Sequence, residues 1–168
     1  MQKNIEQLAL SKNNIPVWFD AVSSHAATHL ADTPHLKQLA ATVISQTIID
    51  QPFAQFHTDF GKIIGTSDLV PIEPGDDIVY AKRLNRDEYT VFNKSKTAQP
   101  CSLVTVALAL QEDGTCELVS AWVGPSDSPS FPGSPYETPA SKDFWSKHAM
   151  AWGNQHIQPG TETTTCPW

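Results

Sequence analysis

The chain has 168 residues, which is enough for one domain with its own core and short for two. Its hydrophobic content of 40% and charged content of 17% are typical of globular proteins and exclude disordered and membrane-embedded chains. A formal net charge of -7 excludes a general binder of nucleic-acid backbone, so any RNA would have to be held by a local basic region.

The three cysteines, Cys101, Cys116 and Cys166, are widely spaced and form no Cys-x-x-Cys pair. This pattern predicts neither a disulfide framework nor a zinc site. Apolar runs stay well below the roughly 20 residues of a membrane-spanning helix, and residues 1–6 lack the features of a signal peptide. We therefore expect a cytoplasmic protein that does not enter a membrane.

Residues 1–51 have a helical pattern. Apolar residues recur at helical spacing over 16–30, where Pro16 suits a first turn. Asp32 or Thr33 can cap a second helix with Pro34 just inside it. The apolar stripe of this second helix comprises Leu36, Leu39, Ala40, Val43, Ile44 and Ile48.

Residues 52–124 change to short stretches rich in β-branched and aromatic residues. We predict strands over 53–64, 78–83, 89–92, 103–110 and 117–123. The polar segment Gln111–Thr115 predicts a hairpin between the last two strands. Residues 103–110 alternate bulky with mostly small side chains, so we expect the bulky face, which begins at Val104, to meet the helices.

The C-terminal third is predicted to contain a loop, a helix and a tail. Five of the 13 prolines fall within 125–140, which favours an extended surface loop. Ser141 can cap a short helix over 141–153, and 154–168 forms a polar tail. The chain is therefore expected to be a single α+β domain, with N-terminal helices packed on a four- to five-stranded antiparallel sheet and a short C-terminal helix.

The stretch from Ile78 to Lys96 contains both arginines, Arg83 and Arg86, and three lysines, Lys82, Lys94 and Lys96. Such a basic region in an acidic protein predicts an anionic ligand, because guanidinium groups match phosphate geometry. The alternative is a solvated hairpin, since Asp87 and Glu88 interrupt the run and can pair with it.

Two residues of the predicted sheet are candidates for chemistry. His57 can exchange a proton near neutral pH, and Asp59 lies two residues along on the same strand face to orient it. Ser120 shares a predicted face with Leu118 and Trp122 and can donate to a phosphate oxygen, although it lacks a nucleophile-elbow sequence. An ordinary histidine and a space-filling serine are the alternatives.

Two further histidine patterns are weighed. His25 and His29 have metal-ligand spacing on a helix, but without a zinc-protease glutamate or a third ligand they favour surface histidines. His148 shares a predicted helical face with Trp145 and Trp152, where it can act as an acid or base or belong to the core. We predict no metal and no cofactor.

The order of these features resembles the barnase, EndoU, colicin and RelE-like nuclease superfamily, especially its phage-associated members. The similar region, about Phe56 to Gly124, contains His57, the segment Ala81-Lys82-Arg83 and the segment Leu118 to Gly124. Helices on a small antiparallel sheet and metal-independent RNA cleavage are what this resemblance implies. The helix with Phe144 to Ala149 also resembles bacterial proteins of unknown activity that carry Phe-Trp-x-x-His-Ala.

The resemblance implies a ribonuclease in which His57 deprotonates a ribose 2′-hydroxyl. We further predict that His148, which lies outside the similar region, protonates the leaving group. Arg83 and Arg86 would stabilise the phosphorane charge, and Ser120 would hydrogen-bond a phosphate oxygen. Substrate-binding candidates are Lys82, Tyr89, Lys94 and Lys96. The alternative is a non-catalytic module that binds a protein or a small anion; the oligomeric state is left open.

Overall fold

The computed structural model describes residues 3–22, 24–32, 35–126 and 128–168, apart from the side chains of His25, Ala31 and Asp32. This part of the chain is a mixed α and β protein in which strands predominate. Within it, no helix combines the length and apolar character needed to cross a membrane.

The helices of the described chain are α1 (His25–Asp32), α2 (Leu36–Ser45) and α3 (Ser141–Lys147). Its strands are β1 (Ile5–Leu10), β2 (Pro16–Asp20), β3 (Phe53–Asp59), β4 (Gly65–Ser67), β5 (Leu69–Pro71), β6 (Ile78–Lys82), β7 (Tyr89–Asn93), β8 (Gln99–Cys101), β9 (Leu103–Leu110), β10 (Cys116–Val123) and β11 (His148–Ala151). The five predicted strands correspond to β3, β6, β7, β9 and β10. Six of their ten ends are as predicted; three others differ by one residue, and β3 ends at Asp59 rather than at residue 64.

The chain divides into two compact units, each built from two separate stretches of sequence. Unit 1 comprises Met1–Gly65 and Cys101–Ser126, and unit 2 comprises Thr66–Pro100 and Asp127–Trp168. A short two-stranded sheet pairs β4 with β8. Each unit has its own larger sheet and its own apolar clusters, described separately below.

The sheet of unit 1 has the strand order β1-β2-β10-β9-β3. β2 and β10 run parallel, while the other neighbours run antiparallel. The predicted purely antiparallel sheet is therefore wrong. Nearly one hundred residues separate β2 from β10 along the chain, and so long a connection permits the parallel pairing that a hairpin cannot make.

One continuous apolar cluster fills the helix-facing side of the unit 1 sheet. Val104, Val106 and Leu108 of β9 share this cluster with the buried residues of α2, which include Leu36 and Ile44. The predicted meeting of the bulky β9 face with helices is confirmed. Ile48 is exposed because α2 ends at Ser45, so its predicted place in the buried stripe is wrong.

A β-bulge at Val119 changes which residues of β10 face the helices. Leu118 pairs with Leu108, whereas Ser120 pairs with Ala107, so Val119 is an extra residue without a partner on β9. The bulge moves Leu118 to the helix-facing side, and Ser120 lies on the other side. The prediction that these two residues share a face is wrong for this reason.

Unit 2 is built on a four-stranded sheet with the order β5-β11-β7-β6. β11 pairs antiparallel with β5 and parallel with β7, so this sheet is also mixed. Two smaller apolar clusters cover it. Each contains an aromatic pair: Trp152 meets Phe92 edge-on at 5.2 Å, and Phe131 stacks on Trp145 at 4.1 Å between ring centroids.

The proline-rich segment forms no helix or strand within its described residues, as predicted. It is nevertheless fastened to unit 2, because Trp145 Nε1 donates a 3.0 Å hydrogen bond to the carbonyl of Pro129. The C-terminal segment then runs beside β6. Tyr80 and Thr163 exchange two backbone hydrogen bonds of 2.8 Å, and the Trp168 ring meets Tyr80 edge-on at 5.3 Å.

Two predicted helices are wrong in part. Residues 16–20 form β2, paired with the unpredicted strand β1, and among the described residues of the predicted 16–30 segment the helix α1 begins at His25. The N-terminal region therefore contributes strands as well as helices. The predicted 141–153 helix ends at Lys147, because residues 148–151 pair with β5 and β7 instead. Strand pairing across the sheet overrides local helical spacing in both places.

Candidate acid-base site of unit 1 and basic depression of unit 2

His57 lies in the middle of β3, an edge strand of the unit 1 sheet and the third strand in chain order. It pairs with Thr105 of β9, which in turn pairs with Trp122 of β10. These three residues form a row across the distal face, which we define as the sheet face opposite the helices. His57 is exposed, so its ring can reach a ligand from outside.

A short segment after β10, residues Gly124 to Ser126, is bonded to each member of this row, and we call it the strap. Thr105 Oγ1 donates to the Gly124 carbonyl at 2.7 Å, and Trp122 Nε1 donates to the Pro125 carbonyl at 3.1 Å. Gly124 adopts a φ of 142°, a conformation that favours glycine. The strap thereby places Ser126 beside β3.

The Ser126 hydroxyl and His57 Nδ1 are 3.0 Å apart and form a hydrogen bond. In the tautomer with its proton on Nδ1, the ring donates to Ser126 Oγ and leaves Nε2 as a proton acceptor. A fixed ring with one basic nitrogen available is the arrangement that general base catalysis requires.

Asp59 lies on the same strand face as His57, as predicted from the two-residue spacing. The pKa of its carboxyl lies below its ordinary value because it accepts hydrogen bonds from the Gly61 backbone N–H and the Ser102 side chain and is attracted by His57. Gly61 N lies 2.9 Å from Asp59 Oδ1. Asp59 therefore presents an ionised carboxylate on the strand face that carries His57.

Ser120 is on the distal face but is not beside His57. It belongs to the next row, with Ala107 of β9 and Gln55 of β3. Two inter-strand spacings separate it from β3, a distance on the order of 10 Å. The hydroxyl that contacts His57 is therefore that of Ser126, which sequence reasoning missed. The only sequence signal was a serine closely following the predicted last strand, in a segment interpreted as a surface loop.

The predicted basic region is dispersed in the folded unit 2. Lys94 pairs with Glu162 at 2.7 Å, and Lys96 pairs with Glu73. The Lys82 ammonium lies 5.3 Å from the centre of the Tyr89 ring. These three lysines are engaged by neighbouring side chains, and the predicted cluster of five basic groups is reduced to the two arginines.

Arg83 and Arg86 remain together at the β6–β7 turn. They line an open depression of about 340 Å³ with Leu84, Asn85, Gln155 and His156, all in unit 2. Within these residues the side chains carry positive or neutral groups and no carboxylate. The depression has the charge that an anionic ligand requires.

His148 occupies the end of α3 and the start of β11. Its ring stacks on Phe144 at 4.2 Å, and its Nδ1 lies 3.1 Å from the Phe144 carbonyl oxygen. The predicted shared helical face with Trp152 is wrong, because the helix ends before that residue. Contacts within unit 2 thus account for the position of the His148 ring.

His29 lies on α1, while the side chain of His25 falls outside the described residues. Among the side chains that are described, no group of three or more histidines, cysteines, aspartates and glutamates is arranged to hold a metal ion.

The chain was compared with known proteins. No protein-family model, no curated protein and no solved structure matches it significantly. The resemblance to the nuclease superfamily therefore stays a prediction.

Proposed function

We propose that the protein is a metal-independent ribonuclease whose acid-base centre is His57. The observation that carries the proposal is the 3.0 Å hydrogen bond between His57 Nδ1 and Ser126 Oγ on an exposed strand. It orients an imidazole and leaves its other nitrogen for substrate. The order of residues that resembles the nuclease superfamily supports the same reaction.

In this mechanism His57 Nε2 removes the proton from a ribose 2′-hydroxyl. The resulting oxygen attacks the adjacent phosphorus, and the bond to the 5′-oxygen of the next nucleotide breaks. That oxygen takes a proton from water as it leaves, and a 2′,3′-cyclic phosphate remains. Ser126 holds the His57 ring in position, and the ionised Asp59 carboxylate lies on the same strand face.

The cationic and acidic groups predicted from the sequence, Arg83, Arg86 and His148, all belong to unit 2. The acid-base centre proposed here uses unit 1 residues alone. The charge-stabilising role of Arg83 and Arg86 and the role of His148 in protonating the leaving group stay predictions. The described contacts of His148 are with Phe144, which also belongs to unit 2.

The second candidate is a non-catalytic module that binds a protein or a small anion. The depression lined by Arg83 and Arg86 favours the small anion, because it combines two guanidinium groups with open access. This function needs no contribution from His57.

The test is cleavage of total cellular RNA in EDTA by the wild type and by His57→Ala. Gln55→Ala is the matched control, since Gln55 is exposed on the same strand and the same face. We expect cleavage by the wild type and by Gln55→Ala, and loss of cleavage in His57→Ala.

Ser126 variants test the orienting role. Ser126→Ala should slow cleavage less than His57→Ala does, because the base remains while its hydrogen bond is lost, and Ser126→Thr should restore much of the rate. Equal cleavage by the wild type and His57→Ala would contradict the proposal. No cleavage by any variant would favour the second candidate.

A further inference from the structure

The turn that carries both arginines is held in place by the C-terminal segment. Gln158 Nε2 donates to the carbonyl oxygens of Arg83 and Arg86, at 2.9 and 2.8 Å, and the Leu84 N–H donates to the His156 carbonyl at 2.9 Å. Asn85 adopts a left-handed φ of 61°, which asparagine tolerates. The backbone of the turn is thus fixed before any ligand arrives, which lowers the entropic cost of binding.

The two guanidinium groups differ in how many contacts they make with the rest of unit 2. Arg83 Nε donates to Thr90 Oγ1 at 3.1 Å, and its guanidinium lies 5.3 Å from the centre of the Phe131 ring. Its terminal Nη groups have no hydrogen bond in the described structure. The Arg86 side chain likewise has no hydrogen bond or ion pair within the described part of the chain. Donors for an anion therefore remain on both residues.

The arginines also repel each other. The pKa of Arg83 lies below its ordinary value because the group is buried and because Arg86 is close, while Glu88 partly opposes the shift. A bound anion between two like charges would relieve this repulsion. The cost of holding the cations together therefore favours an anionic ligand.

Gln155 indicates that the ligand also carries a hydrogen-bond donor. Its Nε2 donates to Asp68 Oδ2 at 3.1 Å, which fixes the orientation of the amide. Its Oε1 is buried without a hydrogen-bond partner in the described structure, although the residue lines the depression. A buried acceptor without a partner costs free energy, and a small rotation of the Gln155 amide toward the depression would let a ligand hydroxyl donate to it.

We propose that the depression binds a phosphate group that also presents a hydroxyl donor, with Arg86 and Arg83 contacting the phosphate oxygens and Gln155 accepting from the hydroxyl. Inorganic phosphate and simple phosphate esters share this chemistry. The inference deepens the second candidate function and rests on it, and it requires no ribonuclease activity.

The experiment titrates the full chain with inorganic phosphate, glycerol 3-phosphate and sulfate. Calorimetry measures the affinities, and amide NMR shifts locate the binding site. We expect saturable binding of both phosphates, weaker binding of sulfate, and shifts centred on residues 83–86 and 155–156. Tighter binding of glycerol 3-phosphate would identify an ester, and tighter binding of inorganic phosphate would identify the free ion.

Arg86→Ala should weaken phosphate binding at least about tenfold, the loss expected for a charge-assisted hydrogen bond. Arg86→Lys, which keeps the charge but loses the fork, should bind with intermediate affinity. Lys142→Ala is the matched control, because it removes one exposed positive charge of unit 2 elsewhere. Its affinity should equal that of the wild type, and all melting temperatures should agree.

Gln155→Met tests the hydroxyl requirement. It should remove the preference for phosphate over sulfate and leave sulfate binding unchanged. Equal wild-type affinities for phosphate and sulfate would overturn the inference while leaving small-anion binding in place. Absence of saturable phosphate binding by the wild type, or equal losses of phosphate affinity in Arg86→Ala and Lys142→Ala, would overturn both this inference and the proposed binding of a small anion.

Discussion

Unit 1 and unit 2 have similar mixed sheets, but they are stabilised in different ways. Unit 1 buries one continuous cluster that is mainly aliphatic, between the helices and one face of its sheet. Unit 2 has two smaller clusters that contain aromatic pairs, and a hydrogen bond from Trp145 fastens the proline-rich segment to one of them. On the distal face of unit 1, Thr105 and Ala107 at the centre are buried, whereas His57 on the edge strand β3 is exposed. An edge strand of such a sheet can therefore present a reactive side chain to a ligand.

The two units also differ in their reactive groups. Unit 1 presents an exposed histidine hydrogen-bonded to a serine, with a carboxylate nearby. Unit 2 contains both arginines of the chain. The first set suits proton transfer, and the second suits binding of an anion.

The largest expected effect separates the two sites. His57→Ala should lower RNA cleavage by about 10²–10⁴-fold, the usual contribution of a general base, and leave phosphate binding by unit 2 unchanged. Cleavage assays and phosphate titrations on the same preparations check both parts. A parallel loss of phosphate binding would show that the two sites are not independent.

A core substitution compares the stabilities of the units. Leu108→Ala removes a fully buried side chain from the unit 1 cluster and should lower the free energy of unfolding by about 3 kcal/mol. Hydrogen exchange resolved by peptide should show the loss in residues 3–65 and 101–126. Equal loss of protection throughout unit 2 would show that the units unfold together.

A smaller effect is expected in unit 2. Trp145→Phe keeps an aromatic ring but loses the hydrogen bond to Pro129, which should cost about 1–2 kcal/mol. The proline-rich segment should then be cut faster in limited proteolysis, with sites within 128–140. Unchanged cleavage there would show that this hydrogen bond does not fasten the segment.

The smallest effect is a pH dependence. Burial and the Cys166 thiol raise the pKa of Tyr80 to about 12 from an ordinary value of 10.0. The folded state thus favours the protonated phenol, so its contribution to stability is present below pH 10 and is lost as the pH rises to about 12.

Urea unfolding followed between pH 9 and 12 measures this dependence. Tyr80→Phe should flatten the alkaline decline of unit 2. The control is Tyr136→Phe, because Tyr136 is exposed, and it should decline like the wild type. Identical slopes for Tyr80→Phe and the wild type would contradict the assigned cause.

Local patterns predicted the parts of the fold that depend on local sequence. The β9–β10 hairpin follows from two apolar runs joined by a polar segment, where Gly114 adopts a φ of 84°. The parallel pairing of β2 with β10 depends on residues far apart in the chain. The division into two discontinuous units has the same origin, and neither could be obtained from spacing.

The site shows the same limit. Proximity of His57 to Asp59 follows from their two-residue spacing on one strand. Proximity of His57 to Ser126 depends on the strap, whose fastening needs Thr105 and Trp122 on two other strands. The predicted cluster of lysines and arginines does not form, because lysines near the arginines in sequence pair with acidic residues from distant segments, as Lys94 does with Glu162.

The most direct test of the account is the chemistry of the RNA ends left by the purified wild type in EDTA. Attack by a 2′-hydroxyl activated by His57 predicts fragments that end in 2′,3′-cyclic phosphates and are absent with His57→Ala. Fragments with 3′-hydroxyl and 5′-phosphate ends, or cyclic ends that persist in His57→Ala, would contradict the proposed role of His57.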